Sequence, residues 1–75
     1  MSDLKVLEEL RVRGELNDVL VLSIFKQGEL MDVDLDLIRN GERFKLAQTH
    51  HKTEDGARAF FNETAEMIKR QYNPI

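Results

Sequence analysis

The dipeptide Asn40-Gly41, set between two runs of alternating residues, constrains this chain more than any other feature. A two-residue type I′ turn needs positive φ at both central positions, and Asn-Gly adopts that with least strain. A second two-residue turn is expected at Gln27-Gly28, with Lys26 and Glu29 as an opposed pair. The stretch Val19–His51 therefore reads as a three-stranded antiparallel meander with strands over 19–26, 30–39 and 42–50.

The turns set registers that side-chain alternation can check. The first pairs Ile24 with Met31, Leu22 with Val33 and Leu20 with Leu35; the second pairs Leu35 with Leu46, Leu37 with Phe44 and Val33 with Gln48. Both send the same alternate residues of the shared middle strand to one side. Leu20, Leu22, Leu35, Leu37, Phe44 and Leu46 are thus expected to meet a helix. The opposite face aligns Ser23/Asp32/Thr49, Val21/Asp34/Ala47 and Val19/Asp36/Lys45, so Asp36 gains Lys45 while Asp32 and Asp34 have no partner.

That helix is expected over 54–72. Thr53 suits the N-cap, Glu54 and Asp55 suit the first turn, and Ala57, Phe61, Ala65, Ile68 and Tyr72 recur at helical spacing before Asn73-Pro74 ends it. At the other end, Ser2 or Asp3 can cap a helix over 3–13 with Leu4, Leu7 and Leu10 on one face and Gly14 as its stop. The competing reading makes Leu10-Arg11-Val12-Arg13 a fourth strand. The expected fold is α+β: one domain over 1–75, a three-stranded meander packed on a C-terminal helix, with an N-terminal helix.

Seventy-five residues lie near the lower limit for folding without staples, and with no cysteine the chain has no disulfide or thiolate metal site. MSDLKVLEEL lacks a basic region followed by an apolar run, and no window approaches a membrane span of about 20 apolar residues, so a cytoplasmic protein is expected. Net charge is −3, with nine acids against four bases in residues 1–38 and seven bases against five acids in 39–75. No concentrated basic surface of the kind that phosphate binding needs stands out.

The sharpest local feature is Asp32-Val33-Asp34-Leu35-Asp36, whose alternation lines up three carboxylates about 7 Å apart. A calcium loop shares this opening but needs glycine sixth and an acid twelfth, where this chain has Leu37 and Arg43. His50 and His51, being adjacent, point to opposite faces and do not form a joint metal site; His50 is expected on the core side opposite Met31, with His51 exposed. Gly14, Gly28, Gly41 and Gly56 are isolated, so no phosphate loop exists, and Asn62-Glu63-Thr64 is a chance glycosylation match within a helix.

The helix–strand–strand–strand–helix order is similar in topology and length to the double-stranded-RNA-binding domain. That resemblance implies phosphate contacts at the start of the last helix and groove contacts from the first hairpin loop. Here those places hold His50-His51-Lys52-Thr53-Glu54-Asp55 and the short turn Gln27-Gly28.

No catalytic constellation, cofactor or metal site is expected, and the chain reads as a non-enzymatic protein-interaction module, an acidic inhibitor or accessory factor of bacterial or phage type. Its working surface is expected on the second sheet face, at Val19, Val21, Phe25, Asp32, Asp34 and Asp36, because apolar residues on a second face call for a cover. That cover would be the N-terminal segment, a second copy in a homodimer, or another protein. The alternative is nucleic-acid binding through Arg39, Arg43, Lys45, Lys52, Arg58, Lys69 and Arg70.

Overall fold

A computed structural model of the chain describes residues 4–75. It is α+β: strands β1 (Leu4–Arg13), β2 (Val19–Gln27), β3 (Leu30–Arg39) and β4 (Glu42–His51), then helix α1 (Glu54–Gln71) and a two-residue strand β5 (Asn73–Pro74). Every neighbouring pair is antiparallel, in the order β4-β3-β2-β1-β5, and α1 lies across one face.

The N-terminal segment is a strand, not the expected helix; the cap proposed at Ser2 or Asp3 lies outside the described residues. The three-residue spacing of Leu7 and Leu10, which imitates a helical stripe, comes from a bulge at Leu7. The extra residue resets the alternation, so Leu7 and Leu10 both reach the core while Leu4 and Val6 stay with the opposite face. Beyond them Val12 is buried, pairing with Leu20 on one side and Pro74 on the other. The strand ends in a short 3-10 turn, Glu15–Asn17, closed by Gly14 N–H to Asp18 O at 2.7 Å and Asp18 N–H to Glu15 O at 2.9 Å.

The Asn40-Gly41 turn stands as expected, with φ of 52° and 80° and Arg39 opposite Glu42. The first turn falls one residue later, at Gly28-Glu29. Gly28 has φ of 61° and Glu29 is not left-handed, the arrangement of a type II′ turn led by glycine. This slides β2 by two residues: Leu22 faces Leu35, Ile24 faces Val33 and Ser23 faces Asp34. The faces survive the shift because the alternation has a period of two.

A second bulge changes more. β3 and β4 keep the expected register from Arg39↔Glu42 to Asp36↔Lys45, then slip by one, leaving Leu46 without a counterpart. Beyond it Ala47, Thr49 and His51 stand opposite Leu35, Val33 and Met31. The core accordingly lies toward one end of the sheet: Leu22, Ile24, Met31 and Val33 meet Ala57, Phe61 and Ala65 of α1, with Leu7, Leu10, Leu35 and Ile68 at its margin. Leu20 and Leu37 are only half-buried, and Phe44 and Leu46, expected beneath the helix, are exposed.

The helix starts as expected, with Gly56 N–H donating to Thr53 Oγ1 at 3.0 Å and Glu54 and Asp55 in the first turn. Its end has a feature absent from the sequence reading: Asn73-Pro74 turns back onto β1, and Ile75 N–H donates to Arg11 O at 2.9 Å. Proline is tolerated on such a short edge strand, where its missing N–H takes no partner away.

Ile24→Ala should lower stability by about 2–5 kcal/mol through lost burial and the cavity left behind. Val6→Ala, on the opposite face and half-exposed, should stay within about 0.5 kcal/mol. Urea denaturation of both variants checks the position of the core.

Candidate functional site

The face of the sheet away from α1 brings together all six residues singled out from the sequence. Val19, Val21 and Phe25 come from β2, and Asp32, Asp34 and Asp36 from β3, with Phe25 opposite Asp32, Ser23 opposite Asp34 and Val21 opposite Asp36. Among the described residues, no helix or strand lies over this face.

The acidic row is not an open acidic surface. Asp34 and Asp36 are only 4% and 5% exposed. Lys45 Nζ donates to Asp34 Oδ2 at 2.5 Å and lies 3.7 Å from Asp36 Oδ1, while Arg43 Nε donates to Asp36 Oδ2 at 2.8 Å. Asp34, expected to be unpartnered, therefore holds Lys45, and Asp36 is shared between two cations. Both basic heads are about half-exposed, so the cations lie outward of the carboxylates. Lys45 sits directly opposite Asp36, yet its long side chain crosses to hydrogen-bond Asp34, and Arg43 makes the hydrogen bond to Asp36. The hydrogen bond to Asp34 raises the Lys45 ammonium above its usual range.

The satisfaction is partial. Ser23 Oγ, Asp34 Oδ1 and Asp36 Oδ1 are buried without a hydrogen-bond partner. Each such group carries a desolvation cost of roughly 1–3 kcal/mol, which makes the pairing on the other oxygens structurally important. At the end of the row the more accessible Asp32 pairs with His50 Nδ1 at 2.5 Å.

The bulge at Leu46 reverses the expected placement of the two histidines. His50 lies on the helix-free face with Asp32. His51 turns to the helix side, where Nε2 is 2.9 Å from Thr49 Oγ1 and the ring lies 5.2 Å from that of Phe60. No group of three or more His, Cys, Asp or Glu residues that could hold a metal forms among the described residues.

One pair had no local sequence signal at all. Arg39 grips Asp18 with both nitrogen arms, Nε to Oδ1 at 2.9 Å and Nη2 to Oδ2 at 2.6 Å, across 21 positions of the chain. This two-armed contact fastens the connection after β1 to the end of β3, and it holds the Asp18 carboxyl below its ordinary range. In that connection Leu16 and Asn17 adopt left-handed backbone, with φ of 55° and 66°, and the Leu16 side chain is exposed. A leucine rarely takes this conformation; the clip beside it restrains the loop.

Val21 is fully buried and Val19 and Ile38 are half-buried, so the exposed apolar residues of the helix-free face gather at one end. Leu4 and Val6 of β1, Phe25 of β2 and Leu30 of β3 share it, and Leu4, Val6 and Leu30 are half-exposed or more. The basic residues considered for nucleic acid do not converge. Besides Arg39, Arg43 and Lys45, Arg58 pairs with Glu54 and Glu8 on the helix side, and Lys69 lies by Glu66. No protein-family model, curated protein or solved structure matches this chain.

Removing the ammonium with Lys45→Met should destabilise the protein by roughly 1–3 kcal/mol, since it leaves a buried carboxylate unpaired. In an Asp34→Asn background the same change should cost less than half as much, a coupling that chemical denaturation measures. The Asp18 clip predicts an acid limb. Its folded pKa lies below the ordinary value, so its contribution is complete above about pH 4–5 and is lost as pH falls through the folded value. Asp18→Asn should therefore lower Tm at pH 7 and shrink the drop in Tm between pH 7 and pH 3.

Proposed function

We propose that the protein is a non-enzymatic protein-interaction module that works through the helix-free face of its sheet. The observation supporting this is the apolar patch of Leu4, Val6, Phe25 and Leu30, which adjoins a charge-balanced centre instead of a solvated polar surface. Exposed apolar patches bordered by polar groups favour docking.

The buried ion pairs alter how such docking would operate. Asp34 and Asp36 are neutralised by Lys45 and Arg43 of the same chain, so a partner meets the patch and the cations before it meets either of these two carboxylates. Recognition then rests on apolar burial, with Asp32, Arg43 and Lys45 supplying polar contacts at the rim. Mimicry of an acidic polymer is the weaker form of the idea, because two of the three row carboxylates are buried.

The variant Val6→Lys should abolish retention of a partner captured from host lysate by the immobilised protein, while Tm changes by less than a few degrees. Retention that survives this change would remove the face from consideration. DNA and RNA should show no measurable retention at ~50 mM salt, where phosphate-driven binding is strongest.

A further inference from the structure

A separate surface lies on the helix side, where α1 leaves the outer part of the sheet uncovered. Two adjoining hollows of about 80 and 210 Å³ run along α1 toward the β4 side and share Leu35 and Thr64 in their lining. Phe60 lines the first and Met67 the second, and these two together with Phe44 and Leu46 of β4 are 39–57% exposed. In a chain with one residue in three charged, the helix flank here reads Phe60, Thr64, Met67, Gln71 without a single charge. Depletion of charge around apolar anchors distinguishes the core of an interface from ordinary surface.

The same surface ends in an unpaired strand. β4 is the outer strand of the sheet and runs for ten residues, so its outward N–H and C=O groups have no strand to meet among the described residues. At the far edge β5 covers Val12 and Arg13 of β1, and among the described residues no apolar groove beside the helix adjoins it.

We propose that β4 pairs antiparallel with β4 of a second copy, forming a two-fold dimer that extends the sheet and closes both grooves. The bulge at Leu46 lets the whole of β4, and not only nine of its residues, pair with a second copy. A regular ten-residue strand paired end to end with itself would set each residue against one from the opposite face, because first and last differ in parity. Here the extra residue shifts the alternation: Glu42 and Phe44 before it lie on the same side as Ala47, Thr49 and His51 after it. Glu42 can then stand opposite His51 of the other copy, Phe44 opposite Thr49 and Lys45 opposite Gln48. Arg43 stands opposite His50, the dyad falls between Leu46 and Ala47, the opposed residues on either side of it share a face, and no fixed charge opposes a like fixed charge.

The scale is suitable. Four such side chains at about half exposure offer on the order of 350 Å² per copy. A standard interface needs roughly 800 Å² per partner, so the ten-residue ladder and groove walls would contribute the other half. Among the described residues the core cluster beneath α1 has seven buried members, two of them alanine, so further burial would add to a small core.

Sedimentation and light scattering on the full chain test this. The expected result is a mass twice the 8.7 kDa of the chain that persists at ~0.5 M salt, since its anchors are apolar and its ladder is made of backbone hydrogen bonds. Leu46→Glu should weaken association by about 100-fold or more. Met67→Lys, exposed on the helix and outside any strand, should do the same without touching the sheet, so a folding defect in the first variant cannot mimic the result. Val6→Lys should leave the dimer intact. A wild-type monomer at ~1 mM, an edge taken only by a different protein, or a dimer broken by Val6→Lys and not by Leu46→Glu would each overturn the proposal. Partner capture on the helix-free face is read separately, so either idea can fail alone.

Discussion

Two carboxylates in the middle of a β-sheet need cations, and much of this structure depends on how they obtain them. Asp34 and Asp36 sit on the third strand, flanked on both sides, where an uncompensated charge would be far too costly to bury. The neighbouring strand supplies Arg43 and Lys45, and their reach across the ladder rather than straight opposition decides which oxygen each one takes. The register slips immediately after Lys45, once both contacts are made. The rest of β4, from Ala47 on the helix side to His51 against Phe60, takes its orientation from that slip.

The same economy of size shapes the two surfaces. α1 is long enough to cover Leu22, Ile24, Met31 and Val33 but not the whole width of a sheet with four long strands. Apart from Leu16 and Ile75, the exposed apolar residues left over gather in a patch on the helix-free face and a groove beside β4. Segregation matters because scattered apolar residues are ordinary surface, whereas contiguous ones favour association. The two surfaces point in different directions, so an edge-to-edge dimer would leave both copies' helix-free faces side by side and open.

Local chemistry made part of this legible. Asn40-Gly41 located one turn because few dipeptides tolerate two left-handed residues, and Thr53 with Glu54 and Asp55 located the start of α1. The six candidate residues Val19, Val21, Phe25, Asp32, Asp34 and Asp36 do share a face, since a two-residue slide preserves alternation. The N-terminal segment departs from the expected helix because Leu4, Leu7 and Leu10 carry a helical spacing that a bulge can also produce. The two histidines exchange faces for the same reason, one bulge lying upstream of them.

By itself, then, the sequence determined the meander, the capped C-terminal helix and which residues of β2 and β3 lie together, because turn dihedrals, capping and strand alternation are local properties. Tertiary structure decided the fourth long strand, the return of Asn73-Pro74, the grip of Arg39 on Asp18 and the burial of Asp34 and Asp36 beneath Lys45 and Arg43. Those depend on bulges and on side chains meeting across long stretches of chain. A one-residue slip adds almost nothing to the local pattern yet moves every later side chain to the other face.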